Sequence, residues 1–275
     1  MRQTSTFGPL GTVILLALAS AVFGPMADAH TPASWGPWAE AEAQEAVPDT
    51  LDDHVTPKLP VGEDLRYSGR FGVFGEVGEG RMAVENGHTV RDQEVIRLDF
   101  DFEGRAMLRT IEDRTTSWVD PSTGAALRYY KNERHPLGSR HEEVEIYPDE
   151  GRWQEGGGIG GDLPTSNPLD ELSFIYLVRG LDLAEGEVVR IERHFDAHRN
   201  PVEVEGLGAE TIEVPAGEFP VDVLEMRVRD DERFNGGGTI VLYLARDETR
   251  TPVRIESKQS RIGTLELSLT ERHEP

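Results

Sequence analysis

The sequence predicts a mostly β protein in which a curved antiparallel sheet, or a half-open β-barrel, closes on one short α-helix at about residues 168–179. Two observations support this prediction. Apolar and polar residues alternate in many short segments that are separated by turn residues, which is typical of antiparallel strands with one face in a core. Residues 163–183 differ, because their apolar residues recur at three- and four-residue spacing, which indicates a helix.

The predicted helix has its own start and stop signals. Asn167 is expected to accept a backbone hydrogen bond as the N-cap, and Pro168 suits the first helical position, where no N–H is needed. Asp170 and Glu171 place negative charge at the positive end of the helix dipole. Gly180 is expected to end the helix in the left-handed conformation. Since this helix is apolar on more than one side, we expect the strands to bury it.

The N-terminal segment predicts export. Residues 1–29 have the pattern of a secretory signal peptide, with Arg2 at the positive start, an apolar run at residues 10–23 and a small-residue cleavage site at residues 27–29. The apolar run is shorter than the roughly 20 residues that a spanning helix needs. We therefore expect cleavage, a periplasmic or secreted mature protein, and no membrane span in it.

Two segments follow the predicted leader. Residues 30–57 are rich in Ala, Pro and acidic residues and are expected to form a linker, whereas residues 58–275 are expected to form a single β-rich domain. Residues 93–103 alternate most clearly, because their apolar and charged side chains fall on opposite faces. Further strands are expected at residues 63–76, 80–86, 107–119, 126–134, 140–147, 151–155, 187–195, 201–207, 209–214, 221–228, 239–245, 253–259 and 264–270.

Composition limits the partners and the chemistry. The 275 residues carry a formal net charge of −23 at pH 7, so the surface repels phosphates and nucleic acid is not expected as a partner. The chain has no cysteine. A disulfide, a thiolate nucleophile, a cysteine-based metal site and a lipid anchor on a cysteine are therefore excluded.

Four short segments, taken in order, carry a resemblance to a known family. They are residues 60–67 (PVGEDLRY), 169–179 (LDELSFIYLVR), 210–219 (ETIEVPAGEF) and 252–267 (PVRIESKQSRIGTLEL). Over about residues 58–272 the chain resembles the bacterial envelope family called domain of unknown function 3108. The resemblance implies export and a β-rich fold, and it supplies no catalytic residue, because the family has no agreed activity. Its outline is similar to the half-barrels that shelter lipids in lipoprotein carriers.

The motifs that we considered do not indicate catalysis. The glycine-rich residues 156–167 lack the Gly-Lys-Ser/Thr ending of a phosphate-binding loop, and residues 99–104 lack the later glutamate of a calcium loop. His194 and His198 could face each other across a turn, but the sequence shows no third metal ligand. There is also no Gly-x-Ser-x-Gly nucleophile motif. We therefore expect no catalytic residue, no metal and no cofactor.

The aromatic residues are the remaining functional lead. Rings lining a curved sheet could hold an apolar ligand, but the simpler interpretation is that they form the core beneath the helix. The candidate ligand-lining residues are Tyr67, Phe71, Phe74, Trp118, Tyr129 and Tyr176.

Three hypotheses about function remain. The first is an exported, non-enzymatic β-protein of the cell envelope that binds an apolar small molecule or a lipid-like ligand. The alternative is an envelope structural or interaction protein with a filled core, which meets a protein partner through its acidic surface or a free sheet edge. The third, an envelope hydrolase, has the least support, because no nucleophile or metal-binding group is clustered in the sequence.

Overall fold

The computed structural model describes residues 49–106, 109–135, 138–228, 239–259 and 263–274. The predicted signal peptide and residues 30–48 of the predicted linker lie outside these ranges. The described chain forms fifteen strands in one sheet and a single α-helix. The prediction of a mostly β, open sheet with one short helix is therefore confirmed.

The strands follow one another in simple order. Their bounds are β1 Asp49–Thr50, β2 Asp64–Phe71, β3 Glu76–Val90, β4 Gln93–Ala106, β5 Arg109–Val119, β6 Ala126–His135, β7 Gly138–Tyr147, β8 Arg152–Glu155, β9 Gly160–Asp162, β10 Val188–Ile191, β11 Val202–Val214, β12 Gly217–Val228, β13 Thr239–Ala245, β14 Pro252–Gln259 and β15 Gly263–His273, with helix α1 at Glu171–Val178. The order across the sheet is β1, β10 to β15, then β2 to β9. All neighbours are antiparallel except β1 and β10. Since β1 and β9 end the series, the sheet is open.

The chain that leads into α1 bridges the two arms of this open sheet. The carbonyl oxygen of Pro168 accepts a hydrogen bond from the N–H of Ala126, at the start of β6, at 2.7 Å. On its other side, the N–H of Leu169 donates to the carbonyl oxygen of Arg193 at 2.6 Å, and the N–H of Phe195 donates to Leu169 at 2.9 Å. Because residues 193–195 follow β10, this segment joins strands from opposite arms and holds the sheet in a curve around α1.

Helix α1 lies inside that curve, and every one of its residues is buried. Its N-cap is Asp170, whose carboxylate accepts hydrogen bonds from the N–H groups of Leu172 and Ser173 at 2.9 Å. The prediction of Asn167 as the cap was wrong, because Leu169 is extended in its bridge to His194 and the helix begins only after it. The prediction for Gly180 was also wrong, because the helix ends at Arg179 in the right-handed region and Gly180 has no positive φ.

The main hydrophobic core joins α1 to the inner face of the sheet. Leu172, Ile175 and Leu177 of the helix lie among strand residues such as Leu98 and Phe100, and all five are completely buried. The alternation predicted for residues 93–103 therefore places its apolar face on α1. No helix within the described ranges is long and apolar enough to cross a bilayer.

A segment without helix or strand closes the remaining side of the core. We call residues 51–63 the strap. Its Leu51, Val55 and Leu59 pack against the core, and the N–H of Lys58 donates to the carbonyl oxygen of Tyr176 in α1 at 2.9 Å. Residues 49–57, which the sequence analysis assigned to the linker, therefore pack on the domain in the structure.

We expect Leu172→Ala to destabilise the fold strongly. The side chain is fully buried between α1 and the sheet, so its truncation loses apolar burial and leaves a cavity, which costs about 2–5 kcal/mol. The free energy of unfolding in urea measures this loss. The matched control is Leu207→Ala, whose side chain is 40% exposed and should change stability by less than about 0.5 kcal/mol. Equal effects of the two variants would show that α1 is not part of the core.

Candidate functional site

A buried charged cluster surrounds the first turn of α1. We call Tyr129, Lys131, Arg140, Glu171 and Arg199 the amino-end cluster. The Glu171 carboxylate lies 3.5 Å from Nζ of Lys131 and 3.6 Å from Nη2 of Arg140. It also pairs with Arg199 and accepts a hydrogen bond from the Tyr129 hydroxyl. Tyr129 and Lys131 reach it together, because alternate residues of β6 point to the same face of the sheet.

The cluster holds Glu171 in its ionised form. Burial alone would raise the pKa of Glu171, but Lys131, Arg140 and Arg199 lower it well below its usual range. Burial lowers the pKa of Lys131, yet Asp113 and Glu171 outweigh that effect and raise it. Lys131 has 0% exposure and still keeps its charge. The arrangement is thus a buried ion-pair system that fixes the first turn of α1 to β6 and β7.

Asp170 and His194 lie beside this cluster and have strongly shifted pKa values. Burial raises the pKa of Asp170 to about 6, although Ser117 and Ser173 donate hydrogen bonds to it. Burial, with a contribution from Arg199, lowers the pKa of His194 to about 3. His194 Nδ1 accepts a hydrogen bond from the N–H of Asp196 at 3.0 Å. The imidazole is therefore neutral and carries its proton on Nε2.

The histidine pair considered in the sequence does not converge on one point. His194 is buried, whereas His198 is exposed on the 3₁₀ turn Ala197–Arg199. Within the described residues, no group of three or more His, Asp or Glu side chains is placed to hold a metal ion.

The carboxyl end of α1 is fixed by a second buried ion pair. Nη1 and Nη2 of Arg179 each donate to the carboxylate of Glu63, the last residue of the strap, at 2.8 Å. Arg250 has a positive φ of 52°, and its guanidinium donates to the carbonyl oxygens of Arg179 at 3.2 Å and Leu181 at 2.8 Å. A cation is favourable at this end of the helix dipole. The strained backbone of Arg250 thus serves to place that cation.

A third buried cation, Arg193, lies under the strap. Its Nε donates to the carbonyl oxygen of Asn167 at 2.8 Å, and its Nη1 donates to that of Val55 at 2.5 Å. Both acceptors are neutral backbone groups. Burial lowers the pKa of Arg193, in contrast to Arg179 with its carboxylate partner.

The six aromatic residues predicted to line a ligand site lie in different places. Tyr67, Phe71 and Tyr176 belong to the main core, and the Tyr67 hydroxyl donates to the carbonyl oxygen of Pro252 at 2.8 Å. Phe74 is 52% exposed on the turn after β2, where it stacks on Phe71 with ring centroids 6.1 Å apart. Tyr129 is completely buried in a second hydrophobic cluster, whereas Trp118 is partly buried and lines a surface cleft. The structure therefore does not bring the six residues together into one ligand site.

That cleft lies on the outer face of β5 to β8 and has a volume of about 460 Å³. Trp118, Arg128, Glu145 and Gln154 form a row of cross-strand neighbours along it. Arg128 pairs with Glu145 at 2.5 Å and lies 5.8 Å from the centre of the Trp118 ring. The charged groups of the row are therefore paired within the protein itself.

A match to a family model now decides the family. The model described as protein of unknown function DUF3108 matches residues 66–270. The chain belongs to the DUF3108 family. The resemblance found in the sequence is thereby confirmed, and the strap lies just before the matched region of this DUF3108 protein. Among curated protein sequences, none matches the chain.

One solved structure supports the fold of the DUF3108 protein, and two others show a weaker likeness. A β-barrel-like protein of the DUF1849 family from Brucella abortus is 12% identical, with 80% of this chain and 100% of that chain covered, and a TM-score of 0.52. A candidate exported protein with a YmcC-like fold from Bacteroides fragilis is 11% identical, with 80% and 99% covered and a TM-score of 0.34. A candidate lipoprotein from Parabacteroides distasonis is 10% identical, with 80% and 98% covered and a TM-score of 0.33. Because the DUF1849 protein is only 12% identical to this chain, its similarity concerns the fold alone.

The sequence analysis missed the buried charges of this DUF3108 protein. One signal was available for Lys131, because it falls on the same strand face as Leu127 and Tyr129 and is one of only three lysines in the chain. No comparable signal marks the pair of Glu63 and Arg179, whose members are 116 residues apart.

We expect Asp170→Asn to change how stability depends on pH. Burial raises the pKa of Asp170 to about 6 in the fold, against about 3.9 in an unfolded chain. Such a shift gives a stabilising contribution that is fully present below the unfolded pKa and is lost as the pH rises through about 6. Urea unfolding between about pH 4 and pH 7 should therefore show the wild type losing stability relative to Asp170→Asn. Parallel pH profiles would contradict this assignment.

We expect Glu171→Gln to destabilise the protein by about 3–5 kcal/mol, because it leaves Lys131, Arg140 and Arg199 without their shared counter-charge. The free energy of unfolding at neutral pH measures the effect. Glu271→Gln is the control, since Glu271 and Arg66 form an exposed pair at 3.9 Å and such pairs contribute only about 0–1 kcal/mol. A loss at Glu171 no larger than that at Glu271 would mean that the cluster does not hold α1.

Proposed function

We propose that this DUF3108 protein is an exported, non-enzymatic β-protein of the cell envelope that binds an apolar or lipid-like ligand in the groove of its half-barrel. Export is supported by the leader pattern in residues 1–29. In this proposal the groove opens between the apolar inner face of the sheet, α1 and the strap, where Leu51, Val55 and Leu59 pack in the structure.

This proposal rests on the structure of the strap, which covers one side of the core. One side of an apolar core is closed by the strap, which has neither helix nor strand, instead of by a second sheet. Leu51, Val55 and Leu59 are only partly buried against that core. Segments with few buried contacts open at lower free energy than the sheet beneath them. A cover of this kind suits exchange with an apolar ligand.

Two titratable groups near the start of α1, Glu171 and His194, support a role without catalysis. Glu171 is held ionised by three cations, and His194 is neutral with a pKa of about 3. A general base works best with a pKa near the operating pH and within reach of its substrate. These two groups are buried and lack such a pKa, so they support a structural role.

A second candidate is an envelope interaction protein with a permanently filled core. The bidentate pair of Arg179 and Glu63 favours it, because this pair ties one end of the strap to α1. In that case a protein partner would meet the outer surface of the sheet or one of its edges.

Native mass spectrometry and hydrogen exchange distinguish the two candidates. Protein purified from its own host should carry a bound lipid-like mass, because the groove would be occupied in the envelope. The amides of Leu51 and Lys58, which bond to Arg190 and Tyr176, should exchange faster than the amides of β12, which serve as the internal control. A protein that is repeatedly ligand-free, with strap amides as protected as β12, would overturn the binding proposal and support the filled core.

A further inference from the structure

Arg193 is a buried arginine beneath the strap, and within the described ranges its hydrogen bonds go only to backbone oxygens. It has 0% exposure, and no ion pair joins it to a carboxylate of the described chain. Its Nη2 is buried and has no hydrogen-bond partner among the described residues. Arg179, at the other end of the strap, instead uses both terminal nitrogens on one carboxylate. Of the two terminal nitrogens of Arg193, therefore, only Nη1 has a hydrogen-bond acceptor among the described residues.

A buried guanidinium without a counter-charge is costly, since burial removes its hydration and nothing of opposite charge replaces it. Burial accordingly lowers the pKa of Arg193, and Asp53 and Asp52 oppose this effect. Both aspartates belong to the strap, as does Val55, whose carbonyl oxygen accepts from Nη1. The strap thus brings to Arg193 both a hydrogen-bond acceptor and nearby negative charge.

The strap also brings apolar groups to the same place. Leu51 and Val55 pack on the core and flank in sequence the two aspartates, Asp52 and Asp53, whose charge opposes the lowering of the Arg193 pKa by burial. Seen from the groove, this part of the strap presents an apolar surface beside negative charge. A molecule with an anionic head and an alkyl tail presents the same two features in one piece.

We propose that Arg193 is the head-group subsite of the groove, and that the ligand is an anionic amphiphile that displaces residues 51–55 of the strap. This inference rests on the proposed binding function. A carboxylate or phosphate head can accept from Nη1 and Nη2 together, which a single carbonyl oxygen does not. The alkyl tail takes the place of Leu51 and Val55 on the core.

Two neighbouring donors become available in the same movement. The Thr165 hydroxyl now donates to the Asp53 carboxylate at 2.6 Å, and the Asn167 amide donates to the carbonyl oxygen of Asp53 at 3.1 Å. Both lose their acceptor when Asp53 leaves. The ion pair of Glu63 with Arg179 keeps the far end of the strap in place, so only its first part needs to move.

The test compares four probes by isothermal titration calorimetry: dodecanoate, dodecyl phosphate, neutral dodecanol and inorganic phosphate. Wild-type protein should bind the two anionic amphiphiles at least about tenfold more tightly than dodecanol. In Arg193→Met that preference should disappear while dodecanol binding is unchanged. Arg190→Met is the matched control, because Arg190 is on the solvated face and pairs with Glu203 at 3.0 Å; it should keep the wild-type preference.

The outcomes distinguish failure of the head-group subsite from failure of the proposed binding function. Equal binding of dodecanol and the anionic probes in wild type and Arg193→Met would overturn the head-group subsite and leave the groove intact. Binding of no amphiphile at all would overturn the binding function itself. If inorganic phosphate binds as tightly as dodecyl phosphate, the ligand is a free anion and the proposed amphiphile is overturned. Dodecanoate and dodecyl phosphate compared directly then tell a fatty-acid head from a phospholipid head.

Two measurements keep the test decisive if Arg193→Met fails to fold. Arg193→Lys keeps the charge without the fork, so it should retain a preference for anionic probes with weaker affinity. In wild-type protein, added dodecanoate should accelerate hydrogen exchange at the amide of Leu51, which now bonds to Arg190. Unchanged protection of that amide in a saturated complex would overturn displacement of the strap.

Discussion

Complete burial of α1 is the constraint on which the rest of the structure depends. The helix is short and largely apolar, with one charged residue at its start, Glu171, and another at its C-cap, Arg179. Inside a protein those charges must be neutralised where they lie. The amino-end cluster does this for Glu171, and the strap does it for Arg179 through Glu63. Much of the polar interior therefore exists because a helix of this kind occupies the curve of the sheet.

Charge is distributed unevenly between the surface and the interior. The chain carries a net charge of −23, yet three of its cations, Lys131, Arg179 and Arg193, have no exposure. Two of them are matched by carboxylates on another element, which joins the helix to the sheet and to the strap. Arg193 meets only backbone oxygens. Lys131 and Arg179 thus stabilise the fold through ion pairs, whereas the hydrogen-bonding capacity of Arg193 is only partly satisfied.

The sequence predicted the parts that local pattern controls. Residues 93–103 alternate because one face meets α1, and the helix was found because its apolar residues follow helical spacing. The cap was placed too early, since Leu169 is held extended by a bridge to His194 that no local signal reports. Residues 51–57 of the strap were assigned to the linker because their acidic composition hides the contacts of Leu51 and Val55. Pairs such as Glu63 and Arg179 depend on contacts between distant parts of the chain, which composition and spacing do not encode.

The pairing of β2 with β15 has a consequence for the order in which the protein folds. Strand β2, near the start of the described chain, finds its second partner only in β15, at Leu265–His273 opposite Asp64–Phe71. Hairpins along each arm can form locally, but β2 can join its arm to the other only once β15 is available to pair with it. A chain built in this way completes the centre of its sheet late in folding, after the hairpins of each arm have formed.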